Sequence, residues 1–249
     1  MRKLVARDHQ QAYDYWATHF SDPALMTGRD AETTRRKIEA LVRQLDWEQE
    51  SVVLDVGPGD GALFRSISTR VRRCCGVDPS ESAIARLRRS FQGVPNVEFS
   101  VGSAGSIPHP DACFDIVVIN SVLQMLPSLP AVERSLVELT RVCRPGARIF
   151  VGELPFRSEL GRGVLVHLAR KLYEFGARSL LRTLYHVYAR PLFRGEPILF
   201  YPANNLHIPQ AAFEAVCGKL GLGVECRRHQ ELRRPSSTRN DYLLRIMAR

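Results

Sequence analysis

This sequence is short of several things, and each shortage removes a class of protein. No run of about 18 apolar residues occurs anywhere in the 249 positions, so no membrane-crossing helix is expected. The opening stretch MRKLVARDHQQAYDYW has no apolar core and no cleavage pattern, so no secretory leader is expected. The six cysteines (Cys74, Cys75, Cys113, Cys143, Cys217, Cys226) form no C-x-x-C pair. Neither they nor any His, Asp or Glu grouping has metal-ligand spacing, so buried reduced thiols and no metal are expected. Together these features favour the cytoplasm. Aromatics make up only 8% of the chain, and none interleaves with the basic runs in the manner of a nucleic-acid surface. The net charge of +9 is therefore read as solvated arginine-rich faces, with no nucleic-acid partner expected. There are no internal repeats and no low-complexity tracts.

What is present is an alternating pattern. Residues 9–46 read as helices, with Tyr13, Trp16, Ala17 and Phe20 at helical spacing, then Ile38, Leu41, Val42 and Leu45. From residue 51 onward strands and helices alternate. SVVLDV, RCCGVD, NVEFSV, FDIVVIN and ARIFVGEL read as strands. ALFRSISTR, ESAIARLRRSF and LPAVERSLVELTRVCRPG read as helices, the last closed by its Pro-Gly. This alternation predicts a doubly wound, mostly parallel α/β sheet. After a lapse over 155–206, a helix (PQAAFEAVCGKLGL) and two strands (GVECRRHQ, RNDYLLRIMA) follow, the strands forming a hairpin at the sheet edge. One domain over 1–249 is expected, with the N-terminal helices of 1–48 as a cover and 155–206 as a helical insertion.

The stretch VVLDVGPGDG carries the most chemistry. Gly57, Gly59 and Ala62 satisfy the dinucleotide pattern G-x-G-x-x-G/A, and Asp78 ends the next strand at about the spacing of a ribose-binding acid. A nicotinamide or flavin enzyme is therefore a competitor. The charges argue otherwise. Asp55 precedes the first glycine and Asp60 lies inside the loop, so a pyrophosphate there would face carboxylates at a cost of a few kcal/mol, order of magnitude. A ligand bearing an ammonium and a sulfonium would gain instead.

VLDVGPGDG, GVDPS, EFSVGSAGSIPHPDACFDIVVINSVLQMLP and LVELTRVCRPGARIFVGE, in that order, resemble the motifs of class I S-adenosylmethionine-dependent methyltransferases, of the small-molecule, type 11-like branch. The likeness covers about residues 50 to 153 and continues weakly to the C-terminus. It implies a Rossmann-like methyltransferase fold, a seven-stranded sheet with an antiparallel C-terminal strand, and S-adenosyl-L-methionine as cofactor. Gly57 and Gly59 would pass close to the methionine moiety, and Asp55 would support its ammonium. Asp78 would take both ribose hydroxyls. Ser103 and Ala104 stand where relatives place an acid and an alanine against the adenine, with Ile107 packed on its face, and Asn120 would offer its carbonyl to the ammonium. Relatives often carry histidine after the fourth strand; here Gln124 stands there and accepts no proton. Glu153 and His207 are the candidates for the catalytic base. The resemblance implies methyl transfer to a small-molecule acceptor, with a hydroxyl of a sugar or natural product as the leading expectation. N-, C- or lipid-directed transfer, a cofactor-consuming cyclisation or alkyl transfer, and a non-catalytic cofactor-binding subunit are the alternatives. Eight basic residues between Arg157 and Arg194 face two acids, Glu159 and Glu174, over apolar stripes. That insertion is read as a substrate lid, a homodimer surface or a peripheral membrane contact.

Overall fold

A computed structural model describes residues 3–5, 11, 14, 31–156, 177, 181, 185, 189, 193, 198–200, 205–230 and 235–246. The centre is a seven-stranded sheet. Its strands in chain order are β1 (Val52–Val56), β2 (Arg73–Asp78), β3 (Val97–Val101), β4 (Phe114–Asn120), β5 (Cys143–Pro155), β6 (Leu222–Gln230) and β7 (Pro235–Ile246). They lie in the order β3-β2-β1-β4-β5-β7-β6. All pairings from β3 to β5 are parallel, and β7 runs antiparallel between β5 and β6. The chain reverses its direction of travel across the sheet between β1 and β4, which opens a crevice at their carboxyl ends.

Among the described residues, five α-helices cover the two faces: α1 (Ala31–Val42), α2 (Ala62–Ile67), α3 (Glu81–Ser90), α4 (Leu129–Val142) and α5 (Gln210–Lys219). The inner strands are apolar on both sides because both sides are covered; all five residues of β1 are buried, and so are Ile116 through Ile119 of β4. One core layer joins the sheet to α4 and α5 through Val132, Leu136, Leu139 and Phe213. The other joins it to α1, α2 and α3 through Leu41, Phe64, Ile84 and Leu87. Local chemistry sets the helix starts. The Ser80 hydroxyl accepts the Ala83 amide at 3.2 Å and opens α3. Ser128 caps α4 with Pro130 in the first turn, where a missing N–H costs nothing.

Three boundaries differ from the sequence expectation. Helix α4 stops at Val142, short of the Pro-Gly pair, because Cys143 is already extended and paired with Phe114. The C-terminal hairpin does form one end of the sheet, but β6 alone is the edge and β7 is interior. A separate parallel pair, Lys3–Val5 with Ile198–Phe200, is one that periodicity did not signal. Of the expected N-terminal helices, 31–42 is helical, as are Gln11 and Asp14; Tyr13, Trp16 and Phe20 lie outside the described residues. So does most of the 155–206 insertion, including His167 and His186. The insertion's described positions 177, 181, 185, 189 and 193 are helical, and Leu181, Tyr185 and Phe193 are exposed. Among the described residues no helix is long and apolar enough to cross a membrane. All six cysteines are free thiols, four of them buried, with Cys113 and Cys226 partly exposed.

Candidate functional site

The turn after β1 is shaped by three glycines in left-handed backbone, Gly57 (φ 75°), Gly59 (φ 59°) and Gly61 (φ 79°). Their reasons differ. A Cβ at Gly57 would strike Val122 Cγ2 at 2.5 Å, and one at Gly61 would strike the Phe91 ring at 2.5 Å, so both permit packing within the chain. A Cβ at Gly59 would meet nothing within 4 Å. The obstacle at Gly57 is thus the chain's own Val122, while the space beside Gly59 is open.

Two carboxylates sit beside this turn without a cationic partner among the described residues. Asp55 is buried near the end of β1, and burial pushes its carboxyl up to about 7, helped by the negative charge of Asp78 and Asp60. Asp78 ends β2 and accepts the Ser80 amide through Oδ1 at 2.9 Å. Its carboxyl is also raised, by burial first, with Asp14 adding and the Ser80 amide and Arg86 opposing. Asp60 behaves differently. Its Oδ1 accepts the Ala62 amide at 3.1 Å and its Oδ2 pairs with Arg65 at 2.6 Å. It caps α2 and its charge is largely answered, so the electrostatic case against a diphosphate rests on Asp55 and Asp78 alone.

The loop after β3 folds back through two backbone hydrogen bonds between Ser103 and Ser106, both 3.0 Å. The Ser103 side chain is exposed and Ala104 is buried at 5%. Ile107 does not line an open surface; it is buried in the core layer, its amide held by Glu138 Oε1 at 2.7 Å. Asn120 ends β4 against Gly152 of β5. A Cβ at Gly152 would lie 2.0 Å from Asn120 Oδ1, so a glycine is required for Asn120 to point as it does.

Backbone strain gathers at the same rim. Ser121 (φ 60°) and Glu153 (φ 58°) are two of the three non-glycine residues with positive φ among the described residues. Ser121 follows the end of β4 and Glu153 lies near the end of the neighbouring β5, and the Ser121 amide donates to the Gly152 carbonyl at 3.0 Å. The Ser121 hydroxyl and Gln124 Oε1 are buried with no hydrogen-bond partner. His207 is half-buried in a segment held flat by two backbone bonds, Leu206 to the Gln124 carbonyl (2.7 Å) and Ile208 to the Pro155 carbonyl (2.8 Å).

Glu153 is not the open base that its position suggested. Its side chain is 1% exposed, with Oε1 at 3.2 Å from Lys37 Nζ of α1 and Oε2 at 2.9 Å from Arg239 Nη1 of β7. Both oxygens are taken by cations, so the charge of Glu153 is already answered within the fold. The Glu153 amide continues the network by donating to Asp241 Oδ1 at 2.8 Å. Asp241 in turn holds His229 Nδ1 at 2.9 and 3.0 Å. The sequence reading passed over His229 and Asp241. The signal was weak: a histidine near the end of one strand and an aspartate on its hairpin partner, brought together only by the register.

The structure does bring one Cys/Glu/His group together. Ligand atoms of Cys75, Glu98 and His109 lie within 4.8 Å of one another. The Glu98 carboxylate is already bonded to Arg73 at 2.6 Å and accepts the Cys75 thiol at 3.1 Å. Both bonds fall on Oε1.

Residues 54–151 match the family described as a methyltransferase domain. Among curated relatives, the methyltransferase GfsG of Streptomyces halstedii is 31% identical over 182 residues, 70% of this chain and 60% of that protein. Chondramide synthase cmdD of Chondromyces crocatus is 28% identical over 150 residues, 56% of this chain and 4% of that protein. The chain spans about half the length of the first curated relatives it matches, from 44% to 60%. Among solved structures, the [4+2]-cyclase SpnF superposes with a TM-score of 0.66 at 15% identity, over 100% of this chain and 99% of that one, which shows a shared fold. The ordered motifs, the strand order and the family match agree: residues 54–151 are a methyltransferase domain of the class I S-adenosylmethionine-dependent kind.

Proposed function

We propose that the chain transfers the methyl group of S-adenosylmethionine to a hydroxyl of a small-molecule acceptor, a sugar or a natural product. The observation that carries this reading is the pair of carboxylates, Asp55 and Asp78, which form no ion pair among the described residues and flank a glycine turn with open space at Gly59. A buried acid whose ionisation is suppressed by its surroundings is a site prepared for a cation. The cofactor supplies a methyl group already activated by its sulfonium, so the protein's work is alignment, exclusion of water and handling of the acceptor proton. Asp78 takes the ribose hydroxyls through its remaining acceptor capacity. Asp55 faces the ammonium, Asn120 lends a carbonyl to it, and Gly57 and Gly59 form the floor. Ser103 and Ala104 border the adenine. His207 stands near the rim as a candidate proton acceptor. The 1–48 helices and the 155–206 insertion cover the acceptor within the same single domain, and dimer formation or lipid contact through 157–194 belongs to the alternatives. The acceptor class is supported by the likeness to GfsG and to a natural-product synthase.

A second reading has its own support. Gln124 occupies the place of the usual histidine, and the fold matches a [4+2]-cyclase along its full length. In that case the site holds the cofactor while the acceptor rearranges without gaining a methyl group. Calorimetric titration with S-adenosylhomocysteine, followed by a panel of hydroxylated glycosides, macrolides and phenols with S-adenosylmethionine, tests both. Methylated product supports transfer. Rearranged product of unchanged mass supports the second reading. No binding at millimolar ligand defeats both.

A further inference from the structure

We propose that His229, oriented by Asp241, is the proton acceptor for the substrate hydroxyl; this rests on the methyl-transfer reading above. His229 lies at the carboxyl end of β6, on the same rim as Asn120. Asp241 pairs with Arg227 across the β6–β7 ladder, and the register shifts between Arg228 and Gln230. His229 is thereby carried diagonally onto the Asp241 carboxylate, on the face that also bears Arg239. Both Asp241 oxygens lie within 3.0 Å of Nδ1. The carboxylate is itself anchored by the Glu153 amide at 2.8 Å. An aspartate bound to Nδ1 fixes the tautomer that carries its proton there and leaves the Nε2 lone pair available. That atom is buried and has no hydrogen-bond partner. A buried imidazole nitrogen is rarely left unsatisfied without a reason.

The surroundings suit the role. A cleft between α1 and the strand ends is lined by Lys37, Leu41, Asn120, Glu153, His229 and Asp241. It therefore joins the imidazole to the residue that ends β4 beside the cofactor turn. The charged groups around the dyad are Lys37 from α1, Glu153 from β5, Arg239 from β7 and Arg227 of β6, the ladder partner of Asp241. Glu153 answers Lys37 and Arg239, and Glu225 answers Arg227 at 2.7 Å, so Asp241 remains to stabilise an imidazolium. As the acceptor oxygen attacks the methyl carbon, its proton passes to Nε2. The new C–O bond forms as the C–S bond breaks, its electron pair stays on sulfur as a neutral thioether, and the imidazolium later releases its proton to water. Asp241 is a positioning residue that holds the imidazole through Nδ1. The arrangement answers the absence of histidine at Gln124 and the closure of Glu153: the proton acceptor comes from the C-terminal hairpin.

The test uses the full chain and the variants His229→Gln, Asp241→Asn and His207→Gln, each checked by thermal melting. S-adenosylhomocysteine binding is measured by calorimetry, and turnover of the hydroxyl panel is followed from pH 6 to 9. Expected are unchanged binding, a loss of at least 100-fold in kcat for His229→Gln with its acid limb abolished, and a smaller loss for Asp241→Asn. Unchanged turnover in His229→Gln, or loss of the acid limb in His207→Gln alone, overturns the proposal. Failure of the wild type to bind S-adenosylhomocysteine defeats the methyltransferase reading instead. Should no acceptor in the panel react, histidine 15N spectra decide. A His229 protonated on Nδ1 with a free Nε2 that shifts on adding S-adenosylhomocysteine supports the assignment. An Nε2–H tautomer, a persistent imidazolium at pH 7.5 or an Nε2 that does not shift overturns it.

Discussion

The two halves of the sheet's carboxyl rim treat negative charge in opposite ways. At β1 and β2, Asp55 and Asp78 form no ion pair among the described residues, and both are pushed toward the neutral form by burial, with the Arg86 charge only partly offsetting it at Asp78. At β5 and β7, Glu153 and Asp241 are more completely buried than Asp78, yet each has its partners: Lys37 and Arg239 for one, His229 and a backbone amide for the other. A fold that neutralises its acids on one side and leaves them unanswered a few strands away has left a position for a positive ligand. The acids of β5 and β7 are answered within the fold. On the proposed reading, those of β1 and β2 are answered by the cofactor.

Breaking the satisfied half should cost most. Glu153→Ala takes a shared carboxylate from Lys37 and Arg239, whose side chains are only 10% and 20% exposed. Removing one member of a buried ionic group typically costs about 3–5 kcal/mol. Urea unfolding should show a loss of that size, with a smaller one for Glu153→Gln, which keeps the hydrogen-bond acceptor. A loss under about 1 kcal/mol would mean that the network is looser than its distances imply.

In the unsatisfied half the same operation should leave stability nearly intact and damage binding. Asp78→Ala removes a burial-strained carboxylate and its charge-assisted bonds to the ribose, so S-adenosylhomocysteine affinity should fall by about 1–3 kcal/mol. Calorimetry on the two variants then yields opposite profiles: an unfolding deficit for Glu153→Ala, a binding deficit for Asp78→Ala. If Asp78→Ala bound as tightly as the wild type, the ribose would sit elsewhere.

The unsatisfied half was also the half legible in the sequence. Asp55, Gly57, Gly59 and Asp78 belong to a contiguous strand-turn-helix-strand unit, so their spacing placed them together, as alternation placed the strands β1 to β5; the strand order and the switch between β1 and β4 came only with the structure. Ligand-facing chemistry that is local in the chain can be read from the chain. The satisfied half is assembled from α1, β5, β6 and β7, with Lys37 and Glu153 separated by 116 positions. Nothing local marks Lys37 or Asp241, and Glu153 looked like an open acid because its two cations come from distant elements. Asp60 failed in the other direction. Its acidity was visible, but its neutralisation by Arg65, one turn into α2, was overlooked. Ile107 was misplaced because a loop residue without predicted structure was not expected to enter the core.

The charge contrast also has a pH dependence. Asp55 is raised from 3.8 to about 7 in the folded protein. Below pH 4 the group is neutral in both folded and unfolded states. Between about 4 and 7 it is ionised only when unfolded, so its contribution disfavours the free fold increasingly as pH rises through that window. A bound ammonium reverses the preference by stabilising the ionised form. S-adenosylhomocysteine binding should therefore strengthen roughly tenfold from pH 6 to pH 8, with proton release near pH 6.5 to 7. Asp55→Asn should flatten that dependence. A wild-type affinity constant across the range would place the ammonium away from Asp55.

The smallest effect sharpens the boundary between the halves. Asp60 lies in the same turn as the cofactor glycines, yet it is bonded as the satisfied acids are, with Arg65 at 2.6 Å and the Ala62 amide at 3.1 Å. Its side chain is 30% exposed, and exposed pairs of this kind contribute at most about 1 kcal/mol. Asp60→Asn keeps the cap on α2 while removing the charge. It should change both stability and S-adenosylhomocysteine affinity by no more than about 0.5 kcal/mol, leaving the pH dependence set by Asp55 in place. A larger loss of affinity would show that the cation preference is a property of the whole acidic turn. No change would confine it to the two carboxylates that form no ion pair among the described residues, one inside the end of β1 and one at the end of β2.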